Sequence, residues 1–168
     1  NGRPAGMGDR IATGAGSQAV VVLKGGDAFL LRSNTTIEVA GREGVLSSLT
    51  IAAGKVLSVF GNKPVAVRAA TASIGIRGTG AYIEIEPAAV YFCLCYGEAV
   101  IEGPGMSAER AKVVKTMHHE SPLMLRDDGG VMRADAGPVK NHTDAELILL
   151  ESLVGPERPF VKLGLTGY

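Results

Sequence analysis

The 168-residue chain has no tryptophan, few other aromatic residues and only two cysteines. Its 17 Lys and Arg residues balance its 17 Asp and Glu residues, so the formal net charge is zero. A neutral chain with few aromatic side chains lacks both the electrostatic attraction and the stacking surfaces that nucleic acids require. The longest apolar run, residues 88–96, is far shorter than the ~18 to 20 residues that span a bilayer. We therefore expect no nucleic-acid binding and no transmembrane segment.

The sequence patterns of common catalytic sites are also missing. No serine stands in a nucleophile-elbow motif. The glycine-rich residues 75–80 lack the lysine and the following helix of a phosphate-binding loop. His118, His119 and Glu120 are consecutive, so they cannot all face one substrate. We expect that the protein is not an enzyme and has no catalytic residues.

Glycine, by contrast, is abundant, with 23 residues spread over the chain and no collagen-like period. Frequent glycine predicts frequent turns, and frequent turns predict short strands. Residues 8–103 alternate throughout between short β-rich runs and glycine-containing turns. Residues 90–96 and 99–101 are predicted to be two separate strands at the end of this region. We therefore predict a mainly β fold, a β-sandwich or solenoid-like domain of short strands, although no strict sequence repeat is present.

The regular alternation of strands and turns ends at Gly103-Pro104-Gly105. This change predicts a β-domain at residues 1–103 and a C-terminal extension at residues 104–168. A glycine-rich turn at residues 127–130 predicts a β-hairpin in this extension. A helix is predicted over about residues 144–154, since Thr143 and Glu146 form a capping box before an apolar stripe.

The tail that follows the helix is expected to be extended and to pack on the β-domain or on a neighbouring subunit. It contains Pro159, Phe160 and Leu163, so it is fairly apolar. Gly155 and Pro156 separate it from the helix.

Several segments of the β-domain have a familiar pattern. Gly8-Asp9, Thr13-Gly14 and residues 20–26 open it, and Gly54-Lys55-Val56-Leu57 continues it. Residues 72–80, with the sequence Ala-Ser-Ile-Gly-Ile-Arg-Gly-Thr-Gly, are its most recognisable part. Together, over about residues 8–103, these segments resemble the FecR-type periplasmic domain.

The resemblance implies an exported β-domain that lies in the periplasm or outside the cell, with its signal peptide removed. In the named family this domain occurs in regulators that sense iron uptake across a membrane. Those regulators also carry an anti-sigma segment, a transmembrane helix and a receptor-contacting domain, which we do not recognise in this sequence. The resemblance therefore implies a β-scaffold for protein contacts and not the whole regulatory role.

Arg77, Gly78, Thr79 and Gly80 lie in the most recognisable segment. The planar guanidinium of Arg77 suits either an anion or several turn carbonyls at once. The flanking glycines permit a backbone bend. We interpret these four residues as structural.

Cys93-Leu94-Cys95 is the sharpest chemical feature of the sequence. In a strand these two side chains share a face, with their Cα atoms roughly 7 Å apart, so a disulfide between them would be strained. Two thiolates on one face are half of a metal site, and the other half would come from His118, His119 and His142. Adjacent residues of a strand face opposite ways, so only one of His118 and His119 fits unless the chain bends there.

Cysteine and histidine ligands suit zinc or copper. Haem is a weaker candidate, because the C-x-x-C-H attachment motif is absent. Two other interpretations stay open. The cysteines could form a redox-active or strained disulfide, or they could be inert side chains buried in a core strand.

Two functional hypotheses follow. The first is a protein-interaction or self-assembly module that forms a homo-oligomer or filament, since short strands leave unpaired edges and the chain has no net charge to keep copies apart. The second is a metal-binding protein that uses the Cys-x-Cys and histidine residues. The two are compatible, because a metal ion can pin the C-terminal extension to the β-domain.

Overall fold

The computed structural model describes residues 4–155 and Phe160. Over these residues the fold is mainly β, as predicted, and the chain forms a curled half-barrel of sheet with one α-helix near its C-terminus. A short 3-10 helix, Ala108–Arg110, follows the tenth strand. The strands and the helix, in chain order, are β1 (Arg10–Ala12), β2 (Ala19–Leu23), β3 (Asp27–Leu31), β4 (Thr36–Arg42), β5 (Val45–Ala53), β6 (Lys55–Val59), β7 (Val65–Ala69), β8 (Ala72–Ile76), β9 (Gly80–Glu86), β10 (Ala89–Glu102), β11 (Lys112–Thr116), β12 (Leu123–Asp127), β13 (Met132–Ala136) and α1 (Asp144–Val154).

The strands form two sheets that share β10. The first sheet has the order β1-β4-β5-β7-β8-β10-β11, and the second has the order β2-β3-β6-β9-β10-β12-β13. The pair β5 and β7 is parallel, and the other pairs are antiparallel. Strands β11 and β12, which follow residue 103, both pair with β10. The extension therefore contributes strands to both sheets.

The prediction of two separate strands at residues 90–96 and 99–101 was wrong, because β10 is one strand of 14 residues. The strand passes from one sheet to the other at a bulge between Leu94 and Tyr96. Gly97 follows the bulge with a φ of 96°, a value that side chains disfavour. A Cβ there would also lie 2.6 Å from Thr79 Cγ2. The glycine that suggested a strand end therefore bends the strand without ending it.

Two apolar clusters hold the fold together. The larger one fills the space between the inner faces of the two sheets and includes Phe29, Leu49 and Ile74. The smaller one lies on the outer face of the second sheet, beneath α1. We call this smaller set the outer cluster, and its buried members are Ala28, Leu30, Leu57, Val59, Tyr82, Tyr91, Cys93, Cys95, Tyr96, Leu147, Leu150 and Phe160.

The predicted hairpin and helix of the extension are both confirmed. Strands β12 and β13 pair around the turn at residues 128–131. The helix α1 begins after Thr143, whose side chain accepts a hydrogen bond from the Glu146 backbone amide while the Glu146 side chain accepts one from the Thr143 amide. Leu147 and Leu150 are fully buried on the second sheet. The described helix is too short to cross a bilayer.

Only one residue of the predicted tail is described. Phe160 is fully buried, and its ring centroid lies 5.4 Å from that of Tyr96 and 5.6 Å from that of His118. This part of the tail packs on the protein's own second sheet. Pro159 and Leu163 lie outside the described residues.

Candidate metal centre

Cys93 and Cys95 lie on the part of β10 that belongs to the second sheet. Their side chains share the outer face, as the alternation of a strand predicts, and both belong to the outer cluster. Both are fully buried, and neither forms a disulfide. The fold therefore places two sulfur atoms side by side under the C-terminal extension.

His119 approaches these sulfurs from the segment between β11 and β12. Its φ of 50° is a left-handed conformation, which is uncommon for a residue with a side chain. The backbone amide of His119 donates to the carbonyl of Cys95 at 3.1 Å. As a result, Nδ1 of its ring lies 3.5 Å from Sγ of Cys93. The expected bend is present, and it is made at His119.

His142 comes from the segment that joins β13 to α1. Its ring stacks on Tyr82, with centroids 4.7 Å apart and an angle of 13° between the planes. Its Nδ1 lies 2.7 Å from the carbonyl oxygen of Lys140, and its Nε2 lies 3.0 Å from Nδ1 of His119. His142 therefore completes a cluster with Cys93, Cys95 and His119 in which the four ligand atoms all lie within 4.8 Å of one another.

Hydrogen bonds and an ion pair hold the segment that carries His142 on the second sheet. The Tyr91 hydroxyl donates to the carbonyl of Pro138 at 2.7 Å. The Lys140 ammonium pairs with Glu86. The Asn141 amide donates to Oε2 of Glu84 at 2.8 Å. These contacts fix the position of the His142 ring.

The hydrogen-bond partners decide which ring nitrogen of each histidine carries a proton. A backbone carbonyl only accepts, so Nδ1 of His142 donates to Lys140 and Nε2 keeps its lone pair. An ionised carboxylate only accepts, so Nε2 of His119 donates to Oδ1 of Asp144 at 3.0 Å and Nδ1 keeps its lone pair in the neutral ring. The two lone pairs then face each other across 3.0 Å. Such an arrangement needs a positive centre between them, either a proton or a metal ion.

The spacing of these atoms suits a tetrahedral metal ion. With Zn–N bonds of about 2.0–2.1 Å and Zn–S bonds of about 2.3 Å, neighbouring ligand atoms lie about 3.3 Å apart for two nitrogens and about 3.6 Å apart for nitrogen and sulfur. The observed distances are 3.0 Å between the two histidine nitrogens and 3.5 Å between Cys93 Sγ and His119 Nδ1. Small side-chain movements suffice to reach zinc geometry.

His118 is the one histidine that does not join the four-residue cluster. Its Nε2 lies 2.9 Å from Oδ2 of Asp144, whose other oxygen contacts His119. The Asp144 carboxylate is nearly buried and bridges the two rings. A carboxylate in this position orients a metal-binding imidazole and fixes its tautomer. Four of the five predicted ligands therefore converge. The fifth, His118, contacts the Asp144 carboxylate next to the cluster.

Asp144 is the site residue that sequence reasoning missed. As the first residue of α1, it complements the positive end of the helix, a role that is sufficient to account for an acidic residue at this position. Thr143 and Glu146 already satisfy the capping box, so the Asp144 carboxylate is free to turn toward the histidines. The one sequence signal is an acidic residue two positions after His142.

The charges in the cluster favour one thiolate. Hydrogen bonds with Cys95, His119 and His142, in that order, lower the pKa of the Cys93 thiol well below its usual value, although burial opposes them. Burial and the Cys93 sulfur raise the pKa of the Cys95 thiol. Burial lowers the pKa of His119, but contacts with Cys93 and Asp144 outweigh it and raise the pKa overall. Without a metal ion, these contacts favour the thiolate form of Cys93 and stabilise the protonated form of the neighbouring His119.

The residues predicted to be structural do not belong to the metal cluster. Nε of Arg77 donates to the carbonyl of Asn62 at 2.9 Å, and the amide of Gly78 donates to the carbonyl of Gly61 at 2.8 Å. The carbonyl of Thr79 accepts from the amide of Phe60. Gly80 allows a close approach, since a Cβ there would lie 2.6 Å from the ring of Tyr96. All these contacts fasten the turn before β9.

Comparison with known proteins finds solved structures that share this fold. A comparison with curated proteins returned no match. Two crystal structures of a proposed anti-sigma factor from Parabacteroides distasonis ATCC 8503 share the fold at 14% sequence identity, with TM-scores of 0.60 and 0.62. The alignments cover 76% and 84% of this chain and 59% and 64% of those chains, so this chain spans about three-fifths of their length.

The family model for the FecR protein matches residues 9–99, which is more than half of the chain. Both cysteines of the metal cluster lie inside this match, and both histidines lie outside it. The resemblance seen in the sequence is confirmed. The chain belongs to the FecR family.

Proposed function

We propose that this FecR-family protein binds one zinc ion through Cys93, Cys95, His119 and His142, as part of a non-catalytic scaffold for protein contacts. The observation that carries the proposal is the approach of two imidazole nitrogens, Nδ1 of His119 and Nε2 of His142, to 3.0 Å, while the other nitrogen of each ring faces an acceptor oxygen. Two buried cysteine sulfurs stand next to them. Two cysteines and two histidines are a common ligand set for structural zinc.

A metal ion suits the cluster better than a proton does. A proton between the two rings satisfies one hydrogen bond and leaves the buried Cys95 as a thiol, because burial raises its pKa. A divalent zinc ion neutralises two thiolates and uses both nitrogen lone pairs at once, so the whole cluster becomes neutral. Copper(I) also favours sulfur and imidazole ligands and is the alternative ion.

The closed ligand set supports a structural and not a catalytic metal. A catalytic zinc ion keeps one position open for water or substrate, whereas here four protein ligands surround the site and all four are buried. The structural neighbours, described as a proposed anti-sigma factor, favour a regulatory signalling role that works through protein contacts. The proposal includes export to the periplasm or beyond, where a bound metal would protect the cysteines from oxidation.

Metal content separates this proposal from inert cysteines. We expect zinc-saturated, desalted protein to retain one zinc ion per chain by elemental analysis, and the Cys93→Ser/Cys95→Ser variant to retain none. His118→Ala is the matched control, because it removes a neighbouring histidine that is not a ligand, and it should retain one ion. The proposal fails if the double variant holds as much zinc as the wild type. Parallel loading with copper(I) identifies the preferred ion.

One observation favours self-assembly as a second function. Strand β2 ends the second sheet and pairs only with β3 among the described residues. Its Val20 and Val22 side chains are 46% and 48% exposed, and no lysine or proline interrupts the strand. Such an edge can accept a strand from another copy. Light scattering should then show oligomers that Val20→Lys/Val22→Lys abolishes, and a monomeric wild type at high concentration would refute this function.

A further inference from the structure

The four proposed ligands come from parts of the chain that differ in how firmly they are built into the sheets. Cys93 and Cys95 lie within β10, which pairs with β9 here and with β12 just before Cys93. His119 lies between β11 and β12, and both of these strands pair with β10. His142 alone belongs to residues 137–155, which follow the last strand and pair with none. We call residues 137–155 the C-terminal flap.

The flap covers the outer face of the second sheet, where polar contacts hold residues 138–141 and few apolar side chains hold α1. Leu147 and Leu150 are its fully buried apolar side chains on that face. The ion pair of Arg32 with Glu146 is partly exposed to solvent, and exposed pairs contribute little. An isolated helix of 11 residues is marginal in water, so α1 depends on its docking. The docking of α1 itself therefore depends on what fastens its first turn.

The metal site supplies that fastening at the start of α1. His142 binds the ion directly. Two residues further on, the Asp144 carboxylate accepts a hydrogen bond from Nε2 of His119, a ligand from the segment between β11 and β12. An ion held by Cys93, Cys95 and His119 gains its fourth ligand only when the flap is closed.

Resting on the function proposed above, we propose that the metal is a latch that keeps the C-terminal flap closed over the outer face of the second sheet. Loss of the ion releases His142 and loosens α1. The release exposes the apolar side chains beneath, which include Leu30, Leu57 and Tyr82. Metal occupancy thus controls whether this face of the FecR domain is covered.

Thermodynamic linkage makes the latch testable from both directions. If the ion strengthens flap docking by some factor, docking must strengthen ion binding by the same factor. A substitution that opens the flap without touching a ligand should therefore weaken zinc binding. Leu150→Glu places a charge under α1, whereas Leu149→Glu changes a neighbouring leucine that is 53% exposed and serves as the control.

The first experiment uses the wild-type chain with zinc as the only probe. We expect hydrogen exchange of the α1 amides to be about tenfold slower in zinc-loaded than in chelator-treated protein, a typical coupling between two sites, with the exchange of β3 and β6 unchanged. Binding of an apolar-surface dye such as anilinonaphthalene sulfonate should rise on chelation. Equal α1 exchange in the two states, in protein that holds one zinc ion, overturns the latch and leaves the proposed metal site standing.

The second experiment measures zinc affinity by competition with a chromophoric chelator. We expect Leu150→Glu to bind zinc about tenfold more weakly or worse, by the factor that the exchange experiment gives, and Leu149→Glu to bind like the wild type. Wild-type affinity in a folded Leu150→Glu protein overturns the latch. Failure of the wild type itself to bind zinc would refute the metal site, so the two failures are distinguishable.

Discussion

Removing the charge of Asp144 while keeping its shape tests how the site is organised. The carboxylate accepts from Nε2 of His119 at 3.0 Å and contacts Nε2 of His118 at 2.9 Å. Asp144→Asn leaves one oxygen, which can still accept from His119 while the amide group turns to His118. The imidazole keeps its orientation but loses the negative charge that makes its other nitrogen a stronger ligand.

Outer carboxylates of this kind typically change metal affinity by about 10- to 100-fold. We therefore expect Asp144→Asn to weaken zinc binding by about 1.4 to 2.7 kcal/mol. Competition against a chromophoric chelator at fixed pH measures the change. The protein should still bind one ion, because all four ligands remain.

A surface variant provides the control. Asp135 lies on β13, its side chain is 60% exposed, and it pairs with Arg126. Asp135→Asn should leave zinc affinity unchanged. If Asp144→Asn binds zinc as tightly as Asp135→Asn does, the carboxylate does not support His119, and the argument from hydrogen-bond partners is wrong.

Three further substitutions test other parts of the account. The Asn141 amide donates to Oε2 of Glu84 at 2.8 Å, and Asn141→Asp replaces this donor with a second carboxylate. The substitution should loosen the segment that carries His142 and weaken zinc binding in the same competition assay. Gly80→Ala should lower the free energy of unfolding, measured by urea denaturation, by about 1–3 kcal/mol, because the added Cβ would press on Tyr96. Gly75→Ala is the control and should lower it far less, since no atom lies nearer than 3.8 Å to the added Cβ. Thr143→Ala removes the cap of α1 and should destabilise the helix by about 0.5–2 kcal/mol, seen as faster amide exchange in its first turn.

Local patterns predicted the mainly β character, the hairpin of the extension and the helix. Polar and apolar side chains alternate in residues 81–86, so Tyr82 and Glu84 share a face of β9, where the Tyr82 hydroxyl donates to Glu84 at 3.0 Å. The capping box gave the bounds of α1. The continuity of β10 was missed, since a glycine that ends a strand and a glycine that bends one look alike in sequence.

The candidate site was predictable only in part. The Cys-x-Cys spacing fixed the shared face of Cys93 and Cys95, because that is a property of one strand. The choice of His119 over His118 depends on a left-handed backbone conformation that no local pattern specifies. The approach of His142 and Asp144 depends on how the flap docks on the second sheet, a long-range contact that sequence periodicity does not encode.

X-ray absorption at the zinc edge of the zinc-loaded protein identifies the atoms that bind the ion. We predict a four-coordinate ion with two sulfur atoms at about 2.3 Å and two nitrogen atoms at about 2.0–2.1 Å. A shell of oxygen and nitrogen without sulfur would contradict this prediction, because it would place the ion away from Cys93 and Cys95.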